Sequence, residues 1–345
     1  MKKSIFVFGL ALWLIAFALF GVNKLNTAYA QSVTLTFADM HLPTESESEL
    51  ATWFLDEVEK RSNGDVKVKR FWSQSLVKAF DQMDSVGKGM VDLTFYYAGF
   101  APKKAPSLHA ALLPAPPTLD VHTGLLATKK LAEHPFFAEE LKRNNVKFVS
   151  PFGHAPERLQ SIKPVRELKD FKGLRVRTYG EFGSAVKVWG GVPVTMPGPE
   201  VYEALSRGTI DANLRPVYSA LAVKLFEVAK FQFMYPVGLN VGYPLVMNLN
   251  KWNGLPKKIQ GIFLDLADEF PKRISEVNEK NEKIALEELK KLKVEIVYPT
   301  EEVNAELNRL VQPVIVEWQE RVAKEGVPGK ELYETYVKEV KKLSK

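Results

Sequence analysis

Residues 33–37 (V-T-L-T-F) alternate apolar and polar positions with a period of two, the pattern of a strand with one buried face. Residues 44–47 (T-E-S-E) fit a capping box, in which the Thr44 hydroxyl and the Glu47 carboxylate would satisfy free N–H groups at a helix start. Leu50, Phe54 and Val58 follow at intervals of four, with Trp53 alongside, and predict one apolar helical face. Asn63-Gly64 ends that helix in a turn, and residues 66–71 predict the next strand. A short amphipathic helix over 79–86 leads through Gly87 and Gly89 to a third strand at 91–96. Strand, helix, strand, helix, strand predicts an α/β layer with parallel strands.

Residues 101–118 are rich in Pro, Ala and Lys and predict an irregular loop, followed by a strand over 146–152. From Pro164 the alternation begins again, with a strand at 174–178 and helices at 182–189 and 199–206. Pro199 suits the first turn of the latter, and Gly208 follows its end. A strand at 244–249 precedes a long helical pattern over 256–292, which Pro271 is expected to kink or divide. A strand at 294–297 and a helical C-terminal segment from Glu301 complete the pattern, with interruptions expected at Pro313 and at 326–329. Two α/β units result, with the chain crossing between them more than once.

Composition narrows the function classes. The 345 residues contain no cysteine, which excludes a disulfide scaffold, a Cys-ligated metal or Fe–S site, a cysteine nucleophile and a Cys-based lipid anchor. Lys and Arg number 47 against 41 Asp and Glu, a net charge of +6. Residues 1–30 hold Lys2, Lys3 and Lys24 and no acid, so the remainder carries 6 − 3 = +3. That segment reads as a secretory signal: a basic start, an apolar run over 5–22, and Ala28-Tyr29-Ala30 as an A-x-A cleavage pattern. A run of about 18 apolar residues is near the lower limit for a membrane span; the position of the A-x-A pattern favours cleavage. A weak residual charge with no basic stripe interleaved with aromatics argues against nucleic acid as a partner.

Catalytic motifs are missing. The sequence has no Walker A segment, no G-x-G-x-x-G, no H-E-x-x-H and no G-x-S-x-G. None of His41, His109, His122, His134 and His154 lies three to five residues from another, so helical metal-ligand spacing is absent and each reads as a surface or loop histidine. Glu139-Glu140 reads as a solvated helix face. No enzyme, cofactor or metal is indicated. In an exported chain with two α/β units, that silence suggests ligand capture.

The segment L-K-D-F-K-G-L-R-V-R-T at 168–178 resembles the "DLKGLKIR" stretch of the solute-binding subunits of tripartite ATP-independent periplasmic (TRAP) transporters, the dicarboxylate-binding type. The similarity continues through P-V-T-M-P at 193–197, E-V-Y-E-A-L at 200–205, Gly208 and Ile210-Asp211. Residues 226–230 and 244–255 are similar to family segments as well, and 76–93 has the family's spacing from "QLGGERE" to "GALDM". The resemblance implies a two-lobed α/β periplasmic binding protein with a ligand cleft between the lobes and a long helix spanning both. One lobe would comprise 31–155, completed by about 245–280; the other 156–244, completed by about 281–345. It also implies capture of an organic anion by lobe closure and delivery to a membrane-embedded TRAP permease driven by an ion gradient. With a cleaved signal and no cysteine for lipid attachment, the protein is expected free in the periplasm.

Arg177 stands at the second arginine of the family's R-x-R strand, where the resemblance implies a ligand carboxylate on the guanidinium. A planar fork of parallel N–H donors suits two carboxylate oxygens. Arg175, two residues earlier, is expected to be the exposed member. Arg158 resembles the arginine of the family's "G-x-R-x-x-T", and Asn213 takes the amide position of "D-G-Q-E-N-P". In that motif Leu214-Arg215 replaces E-N, so Arg215 puts a cation where the family often has a ligand-binding Asn. Phe80 replaces the arginine of the "GGERE" segment, and Gly198 leaves space where an aromatic often stands. Tyr96 and Tyr97 end a predicted strand at the expected cleft, with Trp72 nearby, which would suit a carboxylate with an apolar or aromatic body. The rival readings are an exported enzyme on a similar frame, a sensory binding module, and a receptor for an ATP-driven importer.

Overall fold

A computed structural model describes residues 32–345; the signal-sequence reading of 1–30 lies outside them. β1 (Val33–Ala38) buries Leu35 and Phe37 completely. β2 (Val66–Phe71) and β3 (Leu93–Phe95) pair with β1 in parallel on its two sides. The helix Ser46–Arg61 connects β1 to β2 and turns Leu50, Phe54, Leu55 and Val58 inward. Its start differs from the expected capping box: Glu45 is the N-cap residue and makes no side-chain cap bond, and Glu47 is buried. The Glu45 carboxylate instead accepts from the Leu42 N–H at 2.9 Å.

Residues 101–118 are irregular on either side of one 3-10 turn, but much of the segment is buried rather than solvated. Short 3-10 turns at Ala98–Phe100 and Pro106–Ala111 carry Leu108, Ala110, Leu112 and Leu113 into the core. Helices Val121–Leu131 and Pro135–Arg143 follow. Glu140 in the second lies buried rather than solvated, with its Oε2 accepting from the Ser107 N–H.

β4 (Val146–Ser150) completes one sheet, and β5 (His154–Ser161) opens a second after the sharp passage at Gly153. β6 (Arg175–Arg177), β7 (Val192–Val194), β8 (Ala212–Arg215) and β9 (Phe231–Asn240) belong to that second sheet. The chain then returns, and β10 (Leu245–Asn248) inserts antiparallel between β3 and β4. The first sheet therefore runs β2-β1-β3-β10-β4. β11 (Glu295–Val297) pairs with β9, and the second sheet runs β11-β9-β5-β8-β6-β7. The two passages between units run side by side: a Cβ at Gly153 would meet the Asn240 carbonyl at 2.7 Å, so only glycine admits this crossing.

The helix Lys257–Lys291 is continuous through Pro271, which does not divide it. It packs on the Ser46–Arg61 helix of the first unit and on β5 and the helix Val217–Ala222 of the second, and so spans both. Pro313 likewise sits inside the helix Glu301–Ala323, whereas 326–328 does interrupt it, before the helix Gly329–Leu343. This last helix packs on Val121–Leu131 and Pro106–Ala111, returning the C-terminal segment to the first unit. Among the described residues no helix is long and apolar enough to cross a membrane.

Candidate functional site

In open α/β sheets the crevice beyond the C-terminal ends of parallel strands is the usual place for a ligand. Here both sheets direct such ends at each other. β1 is followed by Asp39, His41, Glu45 and Glu47, and β3 by Tyr97; Arg177 ends β6 and Arg215 ends β8. All seven are buried, although six are ionisable groups that seldom bury without partners.

Arg175 and Arg177 point to opposite faces of β6, as the period of two requires. Arg175 is half-exposed and forms a double hydrogen bond with Asp211, both contacts at 2.8 Å. Arg177 is only 3 % exposed and has no carboxylate within ion-pair distance among the described residues. Its Nε donates to the Met196 carbonyl at 3.0 Å and its Nη1 to the Leu214 carbonyl at 3.4 Å, while the cation lies 4.9 Å from the centre of the Tyr179 ring. Burial lowers its pKa, the mark of a charge without full compensation.

Arg215 reaches across to the first unit, where its Nη2 donates to Glu45 Oε2 at 2.7 Å. Its Nε and Nη1 are buried without partners. Gly198 stands beside it: a Cβ there would lie 3.9 Å from Nη2, an ordinary van der Waals contact.

The first unit contributes a relay. His41 Nδ1 lies 2.6 Å from Asp39 Oδ2, and His41 Nε2 lies 3.0 Å from the Tyr97 hydroxyl. Burial alone would lower the His41 pKa; the Asp39 carboxylate, aided by Glu45 and Glu47, outweighs it and raises the value to about 9. Tyr97 stacks on Tyr243 with ring centres 4.1 Å apart. Glu47 has its Oε2 buried without a partner, and burial raises its pKa.

Between the two sets lies a neutral polar layer. Glu157 Oε1 accepts from the Tyr179 hydroxyl, which in turn accepts from Asn240 Nδ2 at 2.8 Å. Burial pushes Glu157 up to about 7. His154 donates from Nδ1 to the Ala155 carbonyl at 2.9 Å, and burial pulls its pKa down to about 3, so it is a neutral imidazole.

The remaining expected site residues are dispersed. Arg158 turns to the long helix and pairs with Glu282. Asn213 is fully buried, donates to Gln160 Oε1 at 3.1 Å and keeps Oδ1 unpartnered. Tyr96 and Tyr97 lie just past the end of β3 and turn different ways: the Tyr96 hydroxyl donates to the Ala101 carbonyl at 2.7 Å within the first unit, whereas the Tyr97 hydroxyl meets His41. Phe80 is half-exposed and makes an edge contact with Phe100, which touches both Tyr97 and Tyr179.

Sequence reasoning missed His41, Glu45, Glu47, Glu157 and Tyr179. His41, His109 and His154 are buried, against their reading as surface or loop histidines. The available signal was the crowding of Asp39, His41, Glu45 and Glu47 directly after a strand. Ligand atoms of His41, Glu45 and Glu47 all lie within 4.8 Å of one another, a spacing compatible with a cation. However, both ring nitrogens of His41 are engaged and Glu45 is paired with Arg215, so the donor set is already occupied by the protein's own groups.

The family profile of the bacterial extracellular solute-binding proteins, family 7, matches residues 37–321. The 2,3-diketo-L-gulonate-binding periplasmic protein YiaO of Escherichia coli is 28% identical over 269 residues, covering 74% of this chain and 78% of its own. The C4-dicarboxylate-binding periplasmic protein DctP of Rhodobacter capsulatus is 24% identical over 320 residues, covering 90% and 95%. Among solved structures, a marine metagenome TRAP solute-binding protein specific for aromatic acids, in complex with 3-hydroxybenzoate, superposes with a TM-score of 0.83. It is 23% identical and covers 91% of this chain and 100% of its own, a likeness of fold.

Proposed function

The chain belongs to family 7 of the bacterial extracellular solute-binding proteins, the two-lobed periplasmic receptors of TRAP transporters, and on that premise we propose that it captures an organic acid between its lobes and delivers it to a membrane permease. The carboxylate binds Arg177 and the free donors of Arg215. No covalent step is involved; closure of the lobes traps the ligand, and an ion gradient at the permease drives its passage. An exported signal over residues 1–30 and a freely diffusing periplasmic form fit this role.

The observation that carries the reading is Arg177: a buried guanidinium held by two backbone carbonyls and an aromatic face, with no carboxylate within ion-pair distance among the described residues. A buried cation of this kind is costly unless an anion arrives. The two curated relatives are named for 2,3-diketo-L-gulonate and C4-dicarboxylates, which are organic acids. Micromolar affinity requires about 8 kcal/mol. Two or three charge-assisted hydrogen bonds of about 1.5–3 kcal/mol each, with apolar burial against the tyrosines, supply that after association costs.

A thermal-shift screen against a library of organic acids tests the proposal. True ligands stabilise the folded form by mass action, so the melting temperature should rise with ligand concentration. Turnover of the bound acid would contradict a purely receptor role. A library without a single stabilising acid would contradict the ligand class.

A further inference from the structure

We infer that the ligand is a zwitterion: an organic acid that also carries a protonated nitrogen, its carboxylate on Arg177 and its cationic group on Glu47. The inference rests on the carboxylate reading of Arg177 and adds the second half of the ligand.

The first ground is charge. Asp39 is paired with His41, and Glu45 with Arg215. Glu47, 2 % exposed, has no ion-pair partner among the described residues, and neither has Arg177. Once the internal pairs are set aside, the first lobe brings one unpaired buried carboxylate and the second one unpaired buried guanidinium. Glu157, hydrogen-bonded by Tyr179 and next to the neutral His154, belongs to the neutral layer and is left out of the balance. The buried site then holds three acids (Asp39, Glu45, Glu47) against three cations (His41, Arg177, Arg215). A simple carboxylate entering it would make four against three, and a dicarboxylate five. A zwitterion adds no net charge and leaves Glu47 and Arg177 each facing its opposite.

The second ground is hydrogen bonding, independent of charge. The unpartnered buried atoms about this site include four acceptors, Asp39 Oδ1, Glu47 Oε2, Glu157 Oε2 and Asn213 Oδ1. The unpartnered buried donors include Arg215 Nε and Nη1 and Gln82 Nε2, and the Tyr243 and Thr178 hydroxyls are unpartnered as well. A carboxylate offers acceptors only, so it would satisfy the arginines and leave the orphan acceptors buried and unpaired, each at a cost of about 1–3 kcal/mol. An ammonium or a protonated ring nitrogen offers the missing N–H donors.

The test is calorimetry of the purified protein against matched triplets. Each of the twenty common amino acids is titrated beside its deaminated acid and its decarboxylated amine. The expected result is at least one zwitterion that binds about tenfold or more tightly than its deaminated acid. Glu47→Gln should remove that advantage, and Arg177→Ala should abolish binding of both. Glu47→Asp, which keeps the charge, should retain the preference and serves where the Gln variant lowers the melting temperature. Deaminated acids binding as tightly as the amino acids, or only when calcium is added, would overturn the zwitterion and leave the carboxylate reading standing. Amines binding alone, untouched by Arg177→Ala, would overturn both. Failure of every zwitterion in the panel to bind would also overturn the inference.

Discussion

Arg215 Nη2 donates to Glu45 Oε2 at 2.7 Å across the crevice, joining the end of β8 in one lobe to the helix start in the other. Both side chains are nearly inaccessible, at 8% and 2%. The pair is a clasp that forms only when the lobes are together. Truncating one partner of a buried charge pair leaves the other uncompensated, at a cost of about 2–5 kcal/mol. Glu45→Ala should therefore weaken ligand binding by tenfold or more, on the order of 1.4 kcal/mol or greater, and shift the ligand-free protein toward an open form. Calorimetry and small-angle scattering check this; unchanged affinity together with an unchanged scattering profile would show that the clasp does not govern closure.

A second closing contact is steric. A Cβ on Gly99 in the first lobe would meet Tyr179 Cδ2 at 2.9 Å and the Gly180 nitrogen at 3.1 Å in the second. Gly180 adopts a φ of +53°, a conformation that glycine admits without strain and that lets the two backbones approach this closely. Gly99→Val should keep the melting temperature of the ligand-free protein near wild type while lowering affinity about tenfold, since it wedges the lobes apart. Wild-type affinity for the variant would place the closing contact elsewhere.

His41 should remain an imidazolium well above neutrality. Burial works against its charge, but Asp39, Glu45 and Glu47 overcome that and set the folded value at about 9. A histidine raised above its unfolded value near 6.5 contributes stability that is fully present below that value and is lost as pH rises through about 9. Imidazole NMR resonances should report the titration directly. Asp39→Asn removes the strongest partner, leaves burial dominant, and should bring the midpoint down sharply; a wild-type midpoint at or below 6.5 would refute the pairing.

The long helix is anchored by an aromatic cluster. Phe270 is fully buried, with its ring 5.0 Å from Phe54, 5.5 Å from Phe152 and 5.7 Å from Trp53. Phe270→Ala should destabilise the protein by about 3–5 kcal/mol, measured by urea unfolding. A loss under about 1 kcal/mol would mean that the cluster collapses onto the vacated space.

The lobes were legible in the sequence where pattern is local. β1, β2 and the helix over 46–61 follow from alternation and from Leu50, Phe54 and Val58. β9 did not: Phe231–Asn240 is buried on both faces in the middle of its sheet, so alternation is lost. Pro271 and Pro313 read as interruptions, yet both helices run on continuously through them. Arg177 was legible from the motif around it and from the opposite-face relation to Arg175. Glu47 was not, because T-E-S-E reads locally as a cap; only the fold shows that Glu45 turns to Arg215 and leaves Glu47 Oε2 buried without a partner. Arg158 and Arg215 are likewise alike in sequence. Both are paired in the fold, Arg158 with Glu282, 124 residues away on the long helix, and Arg215 with Glu45; only the second pair joins the strand end of one lobe to the helix start of the other.

Arg177 is the centre of the account, and calorimetric titration of Arg177→Ala beside Arg158→Ala is its most direct test. An organic acid that binds the wild type should lose affinity by about a hundredfold or more, roughly 3 kcal/mol, with Arg177→Ala, while the circular dichroism spectrum stays unchanged. The same acid should bind Arg158→Ala far more tightly than Arg177→Ala. Near-native affinity in Arg177→Ala would contradict the assignment of the carboxylate site.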